Sequence, residues 1–290
     1  MIRWREGTVR GIRREWPGAV ELDVAVGGDG DCRALAYPAL VGRPEPGDTV
    51  LLNTTALAMG LGTGGYAMVV AVPDRLPPDP IGPGHLVKAR YTPLQTTVLG
   101  VDEQDSPHHA LLRDADSLTG MPVVVADLHS ALPPILAGLL ADRPGTRVVY
   151  VMPDGGALPA WFSMSLARLK DVGALAATVT VGQAFGGDLE AATVHTGLLA
   201  ARLVLAADVV VLAQGPGNLG TGTRWGFSGV SAGEAVNAAS VLSGRPVGSL
   251  RVSEGDARER HQGVSHHSLT AYGRVALARA DIPVPELGGP

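Results

Sequence analysis

Cysteine, lysine and aromatic side chains are all scarce in this chain of 290 residues. Cys32 is the only cysteine, so an internal disulfide is excluded, and this is consistent with a reducing compartment. Aromatic residues make up 4% of the chain and the formal net charge is −5, which leaves little to stack bases on and repels polyanions. We therefore expect no binding of nucleic acid.

Segments that would direct the chain to a membrane are also missing from the sequence. No stretch approaches the roughly 20 apolar residues that a membrane span needs. Residues 1–14 alternate charged and apolar side chains and lack the apolar core of a signal peptide. We therefore expect a cytoplasmic protein with no membrane contact.

Glycine and proline are abundant instead, with 39 and 22 residues, and apolar residues make up 46% of the chain. Glycine has no three-residue period, which excludes collagen, and the apolar content is too high for a disordered chain. Nearly all of the cationic charge is arginine, because lysine occurs only at Lys88 and Lys170. Arginine binds carboxylate and phosphate groups bidentately, so this composition suits the recognition of anions.

The N-terminal part of the chain is predicted to form short strands separated by turns. Every second residue from Val20 to Val26 is apolar, which is the pattern of a strand with one buried and one wet face. Similar short runs extend to about residue 72, and five prolines between residues 73 and 83 indicate a semi-rigid connector. We predict a small antiparallel β-barrel over residues 1–83.

Beyond residue 122 the pattern changes to strands alternating with helices. The predicted strands lie at 123–126, 147–151, 178–181, 208–213 and 247–252, and the predicted helices at 131–140, 158–172, 189–205, 232–242 and 268–279. Apolar runs without alternation indicate strands covered on both faces. The predicted fold class is therefore α/β, with an open, mainly parallel, doubly wound (Rossmann-like) sheet over residues 122–290. Residues 84–121 are predicted as a connecting β-rich segment that completes the barrel or extends the sheet edge.

Each of the five predicted strands is followed by glycine, carboxylate or histidine residues. In open α/β sheets, ligands bind where loops leave the carboxyl ends of the strands, close to the free N–H groups of helix N-termini. We therefore predict a pocket at this edge that is equipped for acid and base chemistry. The candidate catalytic residues are Asp127, His129, Asp154, Asp188, His266 and His267.

The loop after the fourth predicted strand carries the sharpest motif, a G-x-G-x-x-G spacing that begins at Gly215. A dinucleotide loop normally follows the first strand and opens directly into a helix, so an NAD(P) site is the weaker interpretation. A tight turn needed only for packing is a further alternative. We favour a loop that binds phosphate or carboxylate through backbone amides and hydroxyls. The predicted ligand-binding residues are Gly215, Gly217, Asn218, Gly220, Thr221, Gly222, Thr223, Arg258 and Arg260.

Histidines occur in three groups, and a metal site, an acid–base role and a structural role all stay open for them. Asp127 and His129 are two residues apart at one strand end, so both side chains are expected on the same face. Adjacent histidines are expected to point apart, so that at most one of His266 and His267 ligates a given ion. The candidate ligands of a divalent metal are His129, Asp127, His108 and His267.

Serine chemistry is not favoured by the sequence. No G-x-S-x-G motif follows a strand, which argues against a serine hydrolase. Ser163 and Ser165 fall within a predicted helix and are interpreted as bystanders.

Several short motifs together carry a resemblance to a known family. They are Leu51–Leu57 with Gly60–Gly65, Glu103–His109, Ala184–Glu190, Gly215–Gly217 with Gly220–Thr223, and Ser265–Ser268. On these motifs the chain resembles, over nearly its whole length, an uncharacterised bacterial family described as domain of unknown function 3866. The resemblance implies that both regions belong to one unit, and it implies no activity, cofactor or catalytic residue.

Three functions stay open at this point. The first is an enzyme, a hydrolase or group transferase, that acts on a small anionic or phosphorylated metabolite, with a divalent metal as the cofactor considered. The second is a non-catalytic metabolite sensor or assembly factor, and the third is an NAD(P)-dependent oxidoreductase. The expected partner is a small anionic metabolite, and a homodimer is expected only because such assemblies are common.

Overall fold

The structure of the protein is a computed structural model that describes residues 1–28 and 30–284. The described chain falls into two compact units. The first holds residues 1–82 and 91–96, and the second holds residues 83–90 and the chain from residue 97 onward. Asp29 of the predicted barrel and residues 285–290 of the predicted α/β region lie outside the described residues. None of the described helices is long and apolar enough to cross a membrane.

The elements of the first unit are mainly strands. They are β1 (Trp4–Trp16), β2 (Ala19–Val26), β3 (Gly30–Ala36), α1 (Pro38–Val41), β4 (Thr49–Asn53), α2 (Thr55–Ala58) and β5 (Ala67–Ala71). The strands close into a barrel in the order β1-β2-β3-β5-β4, which confirms the predicted barrel. The barrel is not antiparallel throughout, because Ala34 of β3 pairs with Ala67 of β5 in the parallel direction. The chain reaches β5 through β4 and both short helices, and a parallel pair requires such a long crossover.

The interior of the barrel follows the predicted alternation along β2. Val20, Leu22 and Val24 are each 0% exposed. The opposite face of the strand is not wet throughout, because Glu21 is also fully buried and forms ion pairs with Arg14 and Arg33. Burial pushes the pKa of Glu21 up, but the hydrogen bond and charge of Arg14 bring it below its usual value. An ion cluster therefore covers this part of the strand in place of water.

The remaining elements contain most of the helices. In chain order they are β6 (Leu86–Lys88), β7 (Thr96–Val98), α3 (His109–Leu112), β8 (Pro122–Ala126), α4 (Leu132–Asp142), β9 (Val148–Met152), α5 (Met164–Asp171), β10 (Ala177–Val181), β11 (Leu189–Ala191), α6 (Val194–Leu203), β12 (Val209–Ala213), α7 (Ser231–Val241), β13 (Arg245–Ser249), β14 (Val252–Ser253), β15 (Gly263–Val264) and α8 (His266–Thr270), which continues as a π-helical turn at Ala271–Val275. Single 3-10 turns lie at His129–Ala131, Ala160–Phe162, Ser228–Val230 and Glu259–His261. β6 pairs with β7, and β14 pairs with β15, in two small separate sheets.

The second unit is built on a parallel sheet with the strand order β11-β10-β9-β12-β8-β13. The predicted α/β class with a parallel sheet is confirmed. All residues of β9 are buried, because helices cover both faces of the sheet. α6 and α7 pack on the face that carries Val123 and Val210. α4 and α5 pack on the face that carries Tyr150 and Met152.

The helix predicted at 189–205 is wrong over its first residues. Leu189–Ala191 is instead an edge strand, with Leu189 opposite Val179 of β10. The loop after β10 carries the chain back to the amino edge of the sheet before this strand begins. α6 starts only at Val194, where the Thr193 hydroxyl accepts a hydrogen bond from Thr196 N at 3.2 Å.

Serine caps set two other helix starts. The Ser163 hydroxyl accepts from Leu166 N at 3.1 Å, so the helix predicted from residue 158 begins only at Met164. The Ser265 hydroxyl accepts from His267 N at 3.2 Å, so α8 begins two residues earlier than predicted, and the helical segment already ends at Val275. Both caps satisfy N–H groups that have no partner within the helix.

Candidate functional site

Loops from three neighbouring strands meet at the carboxyl edge of the sheet. Asp127 directly follows β8, Gln214 directly follows β12, and Arg251 lies two residues after β13. Gln214 Nε2 donates to the backbone oxygen of Asp127 at 2.9 Å, which ties two of these loops together. Further along the same edge, Gln183 N after β10 donates to Asp154 Oδ2 after β9 at 2.8 Å. The edge therefore carries a continuous row of polar groups.

Asp127 is almost fully buried at this edge, with 3% of its surface exposed. Its Oδ2 atom has no hydrogen-bond partner among the described residues. Burial raises the pKa of Asp127 to about 6, although the charge of Arg251 and the hydroxyl of Ser268 act in the opposite direction. A carboxyl group with such a pKa exchanges its proton close to neutral pH, as an acid or base catalyst must.

A cleft of about 470 Å³ opens between the ends of β8 and β13. Asp127, Ser130 and Arg251 supply polar lining, and Ile135 lies among its apolar residues. Two contacts hold the Arg251 guanidinium, because its Nη2 donates to Asp256 Oδ2 at 2.6 Å and its Nη1 lies 3.3 Å from His261 Nδ1. The volume lies in the range of small-molecule sites, and the lining combines an acid, a hydroxyl and a cation.

The two arginines predicted to hold the anion lie elsewhere. Arg258 donates to Asp256 through both Nε and Nη2 at 2.9 Å, and Arg260 is exposed on the 3-10 turn before His261. Arg251 lines the cleft instead. Among the described residues that line it, neither Arg258 nor Arg260 is present. The sequence did not single out Arg251 because it was placed inside a predicted strand, whereas β13 already ends at Ser249. Ending the predicted strand three residues earlier would have placed Arg251 in the loop at the sheet edge.

His129 takes part in a chain of hydrogen bonds with buried side chains. Its Nε2 lies 2.8 Å from Ser163 Oγ, and its Nδ1 lies 3.1 Å from the Tyr150 hydroxyl. The Tyr150 hydroxyl donates to the backbone oxygen of Ala213 at 2.7 Å, so it accepts from Nδ1–H, and Nε2 accepts from the serine hydroxyl. Burial lowers the pKa of His129 to about 4, which keeps the ring neutral. His129 therefore holds the start of α5 against the end of β8.

These contacts correct two predictions. Ser163 is not a bystander inside a helix, because it caps α5 and donates to His129. His129 does not join Asp127 as a metal ligand, since both of its ring nitrogens are already hydrogen-bonded. β8 ends at Ala126 and the chain enters a 3-10 turn at His129, so the alternation of side chains along a strand does not extend to these residues. A serine just before a helix was the sequence signal for the cap.

The glycine-rich loop after β12 divides into two parts. Gly215, Gly217 and Asn218 line a second cleft, of about 280 Å³, that His129 also lines. Thr221 N donates to Gly226 O at 2.7 Å, and Gly226 N donates to Thr223 Oγ1 at 3.1 Å. The second part of the loop, from Gly220 through Gly222 to Thr223, therefore folds onto Gly226. Of the predicted anion-binding residues in this loop, those that lie outside the cleft among the described residues are Gly220, Thr221, Gly222 and Thr223.

Close backbone packing joins this loop to the one after β9. A Cβ atom on Gly156 would lie 2.2 Å from the backbone oxygen of Gly215, so only glycine fits there. Ala157 N donates to Pro216 O at 2.6 Å in the same contact. The glycines after these strands therefore serve the convergence of the loops as well as the shape of the cleft.

Asp188 lies at the opposite, amino edge of the sheet, which corrects its predicted place in the pocket. Its carboxylate accepts from Thr178 N at 2.7 Å, at the beginning of β10, and forms an ion pair with Lys170. Burial raises the pKa of Asp188, but the hydrogen bond from Lys170 and those from Thr178 bring it below its usual value. Asp154 stays at the carboxyl edge, exposed and bonded to Gln183.

Three histidines meet at the N-terminus of α8. His261, His266 and His267 each offer one ring nitrogen, and these atoms lie within 4.8 Å of one another. The His267 ring also stacks on Phe227, with centroids 3.8 Å apart and planes 8° apart. Contrary to the prediction, the adjacent histidines do not point apart, because successive side chains of a helix are separated by about 100° rather than 180°.

Two nitrogens of this histidine cluster are buried without a partner among the described residues, namely His266 Nε2 and His267 Nδ1. His261 Nδ1 lies 2.8 Å from Ser265 Oγ. Burial lowers the pKa of all three histidines, to about 4 for His267, so the rings are neutral at pH 7. Neutral imidazole is the form that binds metal ions.

The predicted metal ligands are therefore replaced in part. His108 lies at the start of α3 and does not belong to the histidine cluster, and its neighbour His109 is bonded to Asp102 O at 2.7 Å. Of the four predicted ligands, His267 alone belongs to the cluster as the described residues define it. Three histidines within seven residues, from His261 to His267, were the sequence signal for this cluster.

Comparison with known proteins identifies a family and no named relative. Residues 33–289 match the model of a family described as protein of unknown function (DUF3866). The match begins inside β3 and covers all of the sheet-edge residues described above. No curated protein and no solved structure matches the chain.

Proposed function

Because the chain belongs to the family described as protein of unknown function (DUF3866), we propose its function from the geometry of the site. The protein is an enzyme, a hydrolase or group transferase, that acts on a small anionic or phosphorylated metabolite at the carboxyl edge of the sheet. The observation that carries this proposal is the buried carboxyl of Asp127, which has an unpartnered oxygen and lines the same cleft as Arg251.

Asp127 would transfer the proton in this reaction. A buried polar atom without a hydrogen bond costs roughly 1–3 kcal/mol, and Asp127 Oδ2 has no hydrogen-bond partner among the described residues. Acids with strongly raised pKa values are typical of active sites, where the proton must move near neutral pH. A bound substrate or water that donates to Oδ2 would remove the penalty and receive or give the proton.

Arg251 would bind the negative charge of the substrate. Asp256 accepts from Nη2 and His261 Nδ1 lies 3.3 Å from Nη1, and these two contacts fix the orientation of the group. Three of the five N–H donors of the guanidinium would then bind an anion. A planar guanidinium matches the spacing of two carboxylate or phosphate oxygens. Arg251 therefore takes the charge-complementing role that the sequence suggested for Arg258 and Arg260.

The glycine-loop cleft supports a second contact with the substrate. Leu128 and Ser130 line both clefts, so the two cavities are neighbours across the short loop after β8. Gly217 is exposed, has a φ of 88°, and a substituent there would meet open space, so an anion would be able to approach the backbone at this glycine. In this proposal the cleft binds a part of the substrate remote from the reacting atoms.

The place of the glycine-rich loop in the strand order argues against a nicotinamide cofactor. Helices on both faces of a parallel sheet support classing this unit as doubly wound and Rossmann-like. The glycine-rich loop follows β12, however, which is the fifth strand of the sheet along the chain, and a dinucleotide loop follows the first. An NAD(P)-dependent oxidoreductase is therefore less favoured than hydrolysis or group transfer.

The proposal is tested by binding and turnover on the full-length chain. Inorganic phosphate at 100 times its Kd should stabilise the protein by about 2.7 kcal/mol in a thermal shift. Arg251→Gln should lose this shift, whereas Arg258→Gln, which removes a second partner of the same Asp256, should keep it. Chromogenic phosphomonoesters, phosphodiesters and carboxylic esters then test turnover.

Asp127→Asn separates binding from chemistry. This variant should bind phosphate and lose turnover of whichever ester the natural protein hydrolyses. Loss of binding in Arg258→Gln but not in Arg251→Gln would refute the assignment of the anion site. Phosphate binding without turnover of any ester would favour the non-catalytic sensor.

A further inference from the structure

We propose that His261, His266 and His267 form a binding site for one divalent transition-metal ion, with zinc as the best match. The inference goes beyond the proposed function, because an ion would bind there whether or not the protein is an enzyme. It rests on the convergence of three imidazoles and on two buried nitrogens that have no hydrogen-bond partner in the described part of the chain.

The distances suit an ion after a small adjustment. Zinc binds histidine nitrogen at about 2.0–2.1 Å, which puts two ligands of a tetrahedral ion about 3.4 Å apart. The nitrogens of the cluster lie within 4.8 Å of one another, so rotation of the side chains by a small amount closes the set. His267 is already held by its stacking on Phe227, and His266 and His267 share one backbone, so few torsions need to change.

The unpartnered nitrogens argue against a purely structural cluster. Only 8% of the surface of His267 is exposed. His267 Nδ1 and His266 Nε2 have no hydrogen-bond partner among the described residues. Each such atom loses its hydrogen bonds to water on folding and gains none in return. Three aromatic side chains would pack as well without nitrogens in these places, whereas a metal ion turns both nitrogens into ligands.

Ser265 supplies the support that metal-binding histidines usually have. His261 Nδ1 lies 2.8 Å from the Ser265 hydroxyl and 3.3 Å from Arg251 Nη1, which can only donate. With an ion bound, Nδ1–H would donate to the serine oxygen, the lone pair would lie on Nε2, and Arg251 Nη1 would turn from the ring to the anion. Hydrogen bonds of this kind fix the tautomer of a metal ligand. The same hydroxyl accepts from His267 N at 3.2 Å, so one serine holds two of the three ligands.

The charges around the cluster indicate a catalytic rather than a structural ion. Arg251 Nη1 lies 3.3 Å from His261 Nδ1, and no carboxylate belongs to the cluster as the described residues define it. An ion here would keep its full charge of two and an open fourth position, which favours an anionic ligand such as hydroxide or substrate. Arg251 would pair with that anion. A zinc ion with three histidine ligands lowers the pKa of its bound water to about 7.

The experiment measures metal in the full-length protein. The chain is stripped with chelator, loaded with zinc and passed through gel filtration, and zinc is counted by mass spectrometry. We expect one zinc per chain in the natural protein, and binding at least about 10-fold weaker in His266→Gln and in His267→Ala. His195→Ala, which removes an exposed histidine of α6, is the matched control and should keep the zinc.

Circular dichroism and cobalt absorption distinguish loss of the metal site from loss of the fold. Circular dichroism shows whether His267→Ala has folded, and if it has not, His266→Gln and Ser265→Ala carry the test. Ser265→Ala should weaken zinc binding about 10-fold while the saturated stoichiometry stays at one. Cobalt in place of zinc should give visible absorption bands that the ligand variants lose.

The inference is overturned if the loaded natural protein holds no zinc, or if the ligand variants hold as much as the His195→Ala control. These outcomes are separate from those of the proposed function. Zinc binding without ester turnover supports the metal site and counts against the enzyme. If the protein retains no zinc after loading but still hydrolyses esters, the result supports the enzyme and counts against the metal site.

Discussion

Replacing Asp127 by asparagine removes a buried ionisable group and keeps the size and most of the polarity of the side chain. The pKa of Asp127 rises from 3.8 to about 6 on folding because the carboxyl is buried. The folded state therefore binds a proton that the unfolded state has already released at intermediate pH. By linkage, the free energy of unfolding of the natural protein falls as the pH rises through this window.

The size of the effect follows from the shift. One pKa unit corresponds to about 1.4 kcal/mol, so a rise from 3.8 to about 6 corresponds to about 3 kcal/mol. This contribution is absent below pH 3.8, where both states are protonated, and it opposes folding in full above pH 6, where both are ionised. Asp127→Asn cannot ionise, so the variant should gain up to about 3 kcal/mol over the natural protein between these limits.

Urea unfolding at several pH values between 4 and 8 measures this gain. Hydrogen exchange of amides in β12, followed by mass spectrometry, reports the second unit alone and avoids a contribution from the barrel. The difference between the variant and the natural protein should grow up to about pH 6 and then stay constant. Parallel stability curves over the whole range would refute the raised pKa, and with it the acid–base role given to Asp127.

Three other substitutions test contacts elsewhere in the molecule. Ser163→Ala removes the cap of α5 and the donor to His129, so the free energy of unfolding should fall by about 1 kcal/mol and the pKa of His129, followed by NMR, should rise; an unchanged pKa contradicts the contact. Gly197→Ala in α6 brings a methyl group 2.6 Å from a valine of β10 and should destabilise by about 1–3 kcal/mol, whereas Gly138→Ala in α4 faces open space and should stabilise by about 0.5–1 kcal/mol; equal melting temperatures would be inconsistent with this packing. Glu21→Gln leaves half-exposed arginines without a counter-charge and should lower barrel stability by about 1 kcal/mol in urea, and an unchanged midpoint would show that the ion cluster contributes nothing.

The regular parts of the fold were predictable because the buried positions of a strand or helix carry apolar residues at a regular spacing in the sequence. β9 is buried along its whole length, and β2 alternates between buried and half-buried residues from Leu22 to Val26. Both patterns predict the correct kind of sheet. The start of the helix at 189–205 was not predictable from its apolar content, because Leu189–Ala191 is drawn into the sheet by pairing with β10. Contacts between distant residues decide that competition, and no local pattern records them.

The candidate site was predictable in its location and only in part in its members. Loops at the ends of parallel strands meet because of the sheet, so Asp127 is found at its expected edge. Asp188 is not, because its loop returns to the other edge before β11 begins. Arg251 and His261 gain their places from the end of β13 and from a turn before α8, and such boundaries are the features that sequence patterns locate least well.

The position of β12 between β9 and β8 has a consequence for how the protein is made. β8 and β9 are successive strands of this sheet along the chain, yet they share no backbone pairing, and the strand that joins them begins only at Val209. A nascent chain that ends before β12 therefore leaves one edge of β9 and both edges of β8 without their partners, because β13 also follows β12 in the chain. Open strand edges invite pairing with other chains. The two parts of the sheet are joined only when β12 pairs with both β8 and β9. The β12–β8 pairing is a contact of long sequence separation, and such contacts slow folding. The loops of the carboxyl edge come together only after that step.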